Sequence, residues 1–331
     1  MYHIRQRDEA LATMPASDRP AAAPNPHVRR WIRHELAAAP PRASSLIITV
    51  WGDAIAPHGG AVMLAGLIDL LGPFGINERL VRTSVFRLAR EGWLAAKPVG
   101  RESVYRLTRE GVRRFEQAYR RIYAPPVERW DESWEVVIAD GTTASERLKL
   151  QRELGWEGFG TLAPGVYARP AQIPSAVARI AAGLHLADRL IVARASDDAV
   201  LGGQTLASAV PRAWDLAGVA FDYRRFLTRF GGVIQRFRQT GDSAHDPAQS
   251  FIVRTLLIHE YRRVLLRDPQ LPAALLPLDW PGPAAYALCR DFYRLTHRAA
   301  ERHLLATLRN ERGKLPPASP GFYRRFGGLD A

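Results

Sequence analysis

The sequence has a single cysteine, Cys289, among its 331 residues. One cysteine excludes an internal disulfide and a cysteine-based metal site, and it fits a reducing compartment. Because Cys289 lies within a helical pattern, we predict that it is a core residue. No run of 18 apolar residues is free of charge, so we expect no membrane span. The first 19 residues carry charges throughout, which predicts a cytoplasmic protein without a secretory signal.

The sequence also lacks the motifs of common enzyme classes. It contains no phosphate-binding loop of the form G-x-x-x-x-G-K-S/T and no G-x-S-x-G nucleophile turn. The segment HEYRR is not a zinc protease motif, because the position of the second histidine is occupied by Arg263. We therefore expect a protein that is not an enzyme and that has no cofactor and no metal site.

Positive charge is abundant and unevenly distributed. The net charge is +13, which favours a polyanionic partner. Residues 77–121 contain twelve Lys or Arg and five Glu, so more than half of the excess charge lies in this short part of the chain. This concentration predicts a nucleic-acid-binding surface there.

The hydrophobic pattern predicts an α+β protein with an N-terminal arm and three domains. Residues 1–42 are rich in Ala, Pro and Arg and are interpreted as a flexible arm, although residues 27–39 could form a short helix. Residues 43–124 have the order of a winged helix. We expect helices over 44–53 (with a Ser cap), 61–71 and 76–91, strands over 93–97 and 103–107, and a last helix after Thr108.

The remainder of the chain predicts two further domains. Residues 130–210 have the order βαββαβ of a ferredoxin-like (Cas2-like) domain, beginning with a buried strand at 134–139. Residues 211–331 are interpreted as a helical effector and dimerisation domain, with helices over 221–240, 247–267 and 283–312. The tail, residues 313–331, is expected to be loosely packed.

The third predicted helix has the character of a DNA-recognition helix. At 100° per residue, an apolar half is formed by Leu80, Val81, Ser84, Val85, Leu88 and Ala89. Arg79, Arg82, Thr83, Phe86, Arg87 and Arg90 fall on the other half. Arginine forks match the two acceptors of guanine in the major groove. Asn77 would lie where the helix enters the groove, and Lys97 and Arg101 at the tip of the following hairpin would lie against the phosphates.

Four segments resemble the PaaX family, the repressors of phenylacetic acid degradation operons. They read SLIITVWGDAIAPHGG, LLGPFGINERLVRTSVFRLAREGWL, LGWEGFGTLAPGVYARP and RTLLIHEYRRVLLRDPQLPAALLPLDWPG. The resemblance implies a homodimeric repressor of a phenylacetate catabolic operon that binds double-stranded operator DNA and is released by phenylacetyl-CoA or a related aryl- or acyl-CoA. This sequence has His58 where an arginine is expected, which would weaken a phosphate contact or make it pH-dependent.

Two clusters could bind such an effector. One lies in the middle domain and includes Trp134, Tyr167 and Arg169, with ordinary core packing as the alternative. The other begins at His259 and consists of His259, Tyr261, Arg262 and Arg263, with an ion-pair network or a dimer surface as the alternative. An acyl-CoA requires cations for its phosphates and an apolar slot for its acyl group.

Two other functions are compatible with the sequence. A metal-dependent nuclease could use Asp140, which follows the first strand of the middle domain, although Asp140 could simply turn the chain through Gly141. A ligand-independent architectural DNA-binding protein is the third alternative. About 200 residues beyond the DNA-binding unit are more than dimerisation requires, and this argues against it.

Overall fold

The computed structural model describes residues 23–125, 130–171, 175–196, 205–239 and 245–329. Residues 1–22 of the predicted arm therefore lie outside the described residues. Within the described ranges, no helix combines the length and the apolar character that a membrane crossing requires.

The described chain begins with a packed helix, α1 (Pro26–Ala38). The side-chain oxygen of Asn25 accepts hydrogen bonds from two backbone N–H groups of the first turn, and a proline occupies the start of the helix, where its missing N–H is not needed. Val28 and Ile32 lie one turn apart and are buried against the C-terminal helices. The prediction of a flexible arm is wrong for this helix, because its apolar face has a partner that is distant in the sequence.

Residues 43–124 combine helices with a three-stranded antiparallel sheet. The elements are α2 (Ala43–Val50), β1 (Ala61–Met63), α3 (Leu64–Leu71), α4 (Glu78–Arg90), β2 (Leu94–Val99), β3 (Glu102–Leu107) and α5 (Arg109–Tyr123). The strand order is β1-β3-β2, and the element order matches the one predicted for a winged helix. The predicted helix over 61–71 is shorter than expected, because its first three residues form β1 and pair with β3.

Helix α2 differs from its prediction at both ends. No side chain caps its first turn, and the Ser44 hydroxyl, which was predicted to be the cap, instead accepts a hydrogen bond from Arg87. The helix continues as a π-helical turn (Trp51–Ile55) and a 3-10 turn (Ala56–His58). Gly59 ends this segment at φ 86°, a conformation that favours glycine.

The middle region has the predicted ferredoxin-like topology. Its elements are β4 (Ser133–Ala139), α6 (Ala144–Trp156), β5 (Gly160–Ala163), β6 (Val166–Pro170), α7 (Val177–Leu184) and β7 (Leu190–Ser196). The antiparallel sheet has the order β5-β6-β4-β7. Thr143 and Glu146 form a capping box at the start of α6. Leu150 and Leu154 of this helix pack on one face of the sheet.

The C-terminal region is helical, as predicted. It contains α8 (Val210–Ala213), α9 (Leu216–Arg238), α10 (Pro247–Leu265), α11 (Gly282–Thr307), a hairpin of β8 (Arg309–Asn310) and β9 (Gly313–Lys314), and α12 (Pro320–Tyr323). Helix α10 is buried on most of its surface. Cys289 of α11 is fully buried, as expected.

The tail is tightly packed, contrary to its prediction. Phe322, Arg325 and Phe326 are each only 1% exposed. Their rings and guanidinium group lie among Tyr119, Tyr123 and other aromatic residues. The short tail has little periodicity of its own, so its burial follows from the aromatic surface that α5 and α11 offer.

The apolar residues form one large core and two smaller ones. The large core joins α1 and residues 43–124 to the C-terminal helices. The smaller cores lie on the two faces of the middle sheet. The predicted DNA-binding and C-terminal domains therefore share a core. The middle region has one core of its own and shares the other with C-terminal residues such as Leu216 and Leu271.

Candidate DNA interface and ligand cavity

Helix α4 lies with one side on the protein body and the other side toward solvent. The Asn77 side-chain oxygen accepts the Leu80 backbone N–H at 3.0 Å and caps the helix. The buried residues of the helix are Val81, Ser84, Val85 and Leu88. The helical phase placed Leu80 on the packed half, but it is 47% exposed, because the first turn of α4 projects beyond the surface that covers the rest of the helix.

The outer side of α4 carries all six residues that the sequence assigned to it. The exposed residues are Arg79, Arg82, Thr83, Phe86, Arg87 and Arg90. Phe86 is 61% exposed, although phenylalanine is among the residues that are most often buried. The Thr83 hydroxyl donates to the Arg79 carbonyl at 2.8 Å, so its methyl group faces outward with the arginines.

Two of the four arginines on this side hold weak ion pairs. Arg82 pairs with Glu78 at 2.7 Å, and Arg87 lies 3.8 Å from Glu91. These pairs join residues four positions apart on an exposed helix, where each contributes about 0.3–0.5 kcal/mol. A bidentate contact with guanine contributes about 1–3 kcal/mol of discrimination. Neither guanidinium group is therefore held firmly by its glutamate partner.

The hairpin of β2 and β3 projects beside α4 and has a basic tip. Lys97 and Arg101 are both exposed, and the chain turns between the strands through Gly100 at φ 60°. At its base, Arg106 forms an ion pair with Glu311 of the C-terminal hairpin. The hairpin is thus anchored to the tail at its base, and Lys97 and Arg101 are exposed toward its tip.

The three candidate effector residues of the middle domain lie in its core. Trp134 is fully buried, and Tyr167 and Arg169 are each 2% exposed. Arg169 is bound to Glu135 at 2.8 Å and stacks on the Phe159 ring at 4.7 Å. The assignment of these residues to an effector site is corrected to core packing, because they are covered on both faces of the sheet.

Three of the four candidates on α10 also have structural partners. His259 is buried and hydrogen-bonded to Thr49, with Nδ1 to Oγ1 at 2.9 Å. Tyr261 is a core residue packed on the Phe226 ring. Arg263 is exposed and pairs with Glu260 at 3.1 Å. Only Arg262 reaches an open cavity.

This cavity has a volume of about 790 Å³ and lies where residues 43–124 meet the C-terminal region. Its volume falls within the roughly 300–1,000 Å³ of small-molecule sites. The apolar wall comes from the base of the hairpin and from α5, and it consists of Trp93, Leu107, Val112, Phe115, Ala118 and Ile122. The rest of the lining comes from α2 and the turns that follow it, from Arg262 of α10 and from residues 310–325 of the tail.

A buried ionic cluster closes one end of the cavity. Asp53 accepts hydrogen bonds from the hydroxyls of Tyr123 (2.5 Å) and Tyr293 (2.9 Å), and Arg325 donates to its carbonyl at 2.8 Å. Burial raises the pKa of Tyr123 well above its usual value, so this hydroxyl remains a donor. Arg254 lies on the far side of Asp53 at 3.5 Å. The cluster is internally compensated and fixes the tail against α2.

His58 also helps to hold the tail in place and is not available for a DNA contact. Its Nδ1 lies 2.7 Å from the Pro316 carbonyl and its Nε2 lies 2.7 Å from Glu301. The residue is 1% exposed. The expectation of a phosphate contact at this position is wrong, because both ring nitrogens are used inside the protein.

Apart from Arg262, sequence reasoning did not assign the residues that line this cavity to a ligand site. Phe115 and Tyr119 lie on α5, which the sequence analysis treated only as the last helix of the winged helix. The Tyr119 hydroxyl donates to the Gly321 carbonyl at 2.5 Å. Arg325 was assigned to a loose tail. The available signal was the cluster of aromatic residues near the chain end, Phe322, Tyr323 and Phe326.

Family models match three consecutive parts of the chain. The model described as PaaX-like protein matches residues 42–111, the PaaX protein central Cas2-like domain matches 127–208, and the PaaX-like protein C-terminal domain matches 214–306. The Transcriptional repressor PaaX of Escherichia coli (strain K12) is 34% identical over 300 residues, which cover 91% of this chain and 95% of that protein. The chain belongs to the PaaX family.

A solved structure shares the architecture of this PaaX family member. It is described as Uncharacterized protein Rv0674 from Mycobacterium tuberculosis, and it superposes with a TM-score of 0.50 at 26% identity. The match covers 79% of this chain and 98% of that one. The family resemblance and the Cas2-like middle domain that the sequence predicted are confirmed.

The nuclease alternative gains no support from the environment of Asp140. This residue is exposed at the end of β4, and its backbone N–H donates to the Arg189 carbonyl at 3.0 Å. The next residue, Gly141, turns the chain at φ 56°. In the described part of the chain, no three His, Cys, Asp or Glu side chains are grouped so that they could hold a metal ion.

Proposed function

We propose that this protein is a DNA-binding transcriptional repressor that reads its operator with α4. The observation that carries the proposal is the division of this helix into a buried apolar side and an exposed side with four arginines. The name of the Escherichia coli relative, a transcriptional repressor, supports the same function. In the complex, α4 lies in the major groove, Asn77 lies at its entrance, and Lys97 and Arg101 contact the backbone.

The repressor acts in the cytoplasm as a homodimer on a phenylacetate catabolic operon. A symmetric dimer presents two copies of α4 to half-sites about 34 Å apart, one turn of DNA. The effector is phenylacetyl-CoA or a related aryl- or acyl-CoA, which favours a dimer form with wrongly spaced helices and so reduces DNA affinity. This assignment rests on membership in the PaaX family and on the functions implied by the sequence resemblance.

Fluorescence anisotropy of the purified protein on its own promoter region tests this function. The titration uses phenylacetyl-CoA, free CoA and phenylacetate, with a scrambled duplex of equal length as the control. We expect tight binding to the promoter alone and release by phenylacetyl-CoA alone. Specific binding that no ligand relieves would favour the architectural alternative, and equal binding to both duplexes would contradict a role in operator recognition.

A further inference from the structure

We propose that the cavity between α2, α5, α10 and the tail is the effector site, and that Arg262 binds the anionic group of an organic anion whose apolar part lies against α5. This inference rests on the proposed function and gives its effector a location. The anion is either an aryl carboxylate or the phosphates of a CoA thioester, which share the same chemistry at Arg262.

The first argument is the state of Arg262. Its Nη2 makes one weak hydrogen bond, to the Ser45 hydroxyl at 3.4 Å, and its Nε is buried without a partner. Among the described residues, no carboxylate lies within ion-pair distance of it. Arg325 and Arg254, in contrast, both lie beside Asp53. A partly buried cation without a counter-ion is costly, and an anion that enters from outside removes this cost.

The charge around the cavity also favours an anion. Five arginines and three carboxylates line it. Of the carboxylates, Asp53 is held by Arg325, and Glu311 is held by Arg106. Burial lowers the pKa of Arg262, as expected for a cation removed from water without a neighbouring carboxylate. Its guanidinium nevertheless stays protonated at neutral pH.

The shape of the cavity suits a ligand with an apolar group. The side formed by α5 and the hairpin base carries the Trp93 and Phe115 rings together with Val112 and Ile122. Arg262 and the polar Thr49 line the same cavity. One molecule can therefore place a ring on the apolar wall and a negative group on the guanidinium, which is the usual division of a small-molecule pocket.

The position of the cavity explains how its occupancy changes DNA binding. Two consecutive serines of α2 connect the two regions: Ser45 accepts a hydrogen bond from Arg262, and Ser44 accepts one from Arg87 on the outer side of α4. An anion that draws Arg262 away from Ser45 removes one anchor of α2. Helix α2 packs directly on α4, so a shift of α2 moves the recognition helix.

Matched variants on α10 test the proposal. Arg262→Met and Arg263→Met remove the same charge from neighbouring positions, but only the first faces the cavity. Calorimetric titration of each variant without DNA, with phenylacetyl-CoA, CoA and phenylacetate, measures the affinity directly. We expect Arg262→Met to lose about 10- to 100-fold in affinity for the ligand that binds the wild type. Arg263→Met should change it by less than about twofold.

A second variant probes the apolar wall. Val112 is 40% exposed, so Val112→Trp adds a ring at the mouth of the cavity with little effect on folding, which circular dichroism checks. It should weaken the same ligand at least about tenfold if the apolar part lies there. This variant keeps the proposal testable even if Arg262→Met fails to fold.

The outcomes separate the site from the function. If a ligand releases DNA and binds both variants with wild-type affinity, the cavity proposal is wrong and the repressor proposal stands. If phenylacetate binds, Arg262 binds its carboxylate. If binding requires the CoA moiety, Arg262 binds a phosphate. If none of the three compounds binds the wild type, the cavity proposal and the named effector both fail, while operator binding remains to be judged by anisotropy alone.

Discussion

The hydrogen bond between His259 and Thr49 defines the state of the histidine ring. The Thr49 hydroxyl donates its single proton to the Ser45 carbonyl at 3.1 Å. We therefore assign Nδ1 of His259 as the donor of the second bond and the Thr49 oxygen as its acceptor. Burial lowers the pKa of this ring to about 4, and the ring is neutral at pH 7. His259 thus joins α10 to α2 and is not an anion-binding cation.

This shift in pKa predicts a loss of stability in acid. In the unfolded chain the pKa of His259 returns to about 6.5, so between pH 6.5 and 4 the unfolded state binds a proton that the folded state does not. Stability is present above pH 6.5 and is lost as the pH falls. We expect the free energy of unfolding to fall by about 2–3 kcal/mol more in the wild type than in His259→Asn between pH 7 and pH 4.5.

Urea unfolding at the two pH values measures this difference. His185→Asn is the matched control, because His185 is exposed and has a positive φ of 56° that asparagine tolerates. It should follow the wild type. If the stability of His259→Asn falls as much as that of the wild type, the ring of His259 does not stay neutral in the folded protein and the prediction is wrong.

The residues of α4 and of the hairpin tip should differ in what they contribute to DNA binding. Arg82→Ala or Arg87→Ala should reduce the preference for the operator over a scrambled duplex by about 1–3 kcal/mol, because a base contact is lost. Lys97→Ala should weaken binding to both duplexes equally and reduce the magnitude of the slope of log K against log salt by about 1. Anisotropy at several salt concentrations distinguishes the two effects.

The control for this series is Arg152→Ala on α6, which removes an exposed arginine with a local partner, Glu153, and lies in the middle domain. It should leave operator preference and salt slope near the wild-type values. If the arginine variants of α4 keep full operator preference, α4 is not part of the DNA interface.

At the scale of elements, periodicity predicted the helices and strands whose formation depends on local sequence. It failed where burial depends on a partner that is distant in the sequence. The amphipathic α4, the capped α6 and the ferredoxin-like order were all predictable, because each has a cap or a period of its own. Helix α1 has Asn25 and Pro26 at its start, but its burial depends on a groove between α9 and α10. The ligand cavity could not be predicted, because five separate segments build it.

The docking of the tail yields a prediction at this scale. Arg325 contacts Asp53 and stacks on the Tyr123 ring at 4.2 Å. Arg325→Met removes one of two guanidinium groups beside a buried carboxylate, so we expect a loss of about 3 kcal/mol in the free energy of unfolding. Its neighbour Arg324 is exposed, and Arg324→Met should change stability by less than about 0.5 kcal/mol.

Urea unfolding followed by far-UV circular dichroism compares the two variants. The Asp53→Asn, Arg325→Met double variant should be more stable than the sum of the single effects implies, because no uncompensated carboxylate remains. Additive effects of the two substitutions would show that Asp53 and Arg325 do not act as a pair.

At the scale of the whole molecule, the DNA-binding unit is not a domain on a hinge. The Phe74 and Phe251 rings lie 6.2 Å apart, and so do those of Tyr123 and Tyr293, so each pair crosses between residues 43–124 and the C-terminal helices. The middle region packs a core of its own around Val137 and Tyr167, and only the other face of its sheet packs against C-terminal residues. The effector that we propose would then act through rearrangement inside a shared core, by way of α2 and the cavity.

This division of cores predicts the pattern of cooperative unfolding. Amides of α3 and α11 should lose protection from hydrogen exchange at the same denaturant concentration and with the same dependence on it, because one core holds both helices. Amides of β4 and β6 should form a second group with its own free energy of opening. Hydrogen exchange of the full chain, resolved by mass spectrometry, measures both groups in one series. If α3 lost protection at a lower denaturant concentration than α11, while the middle strands lost it together with α11, residues 43–124 would be an independent unit. DNA release would then be better explained by motion of that unit as a whole than by a shift of α2 within a common core.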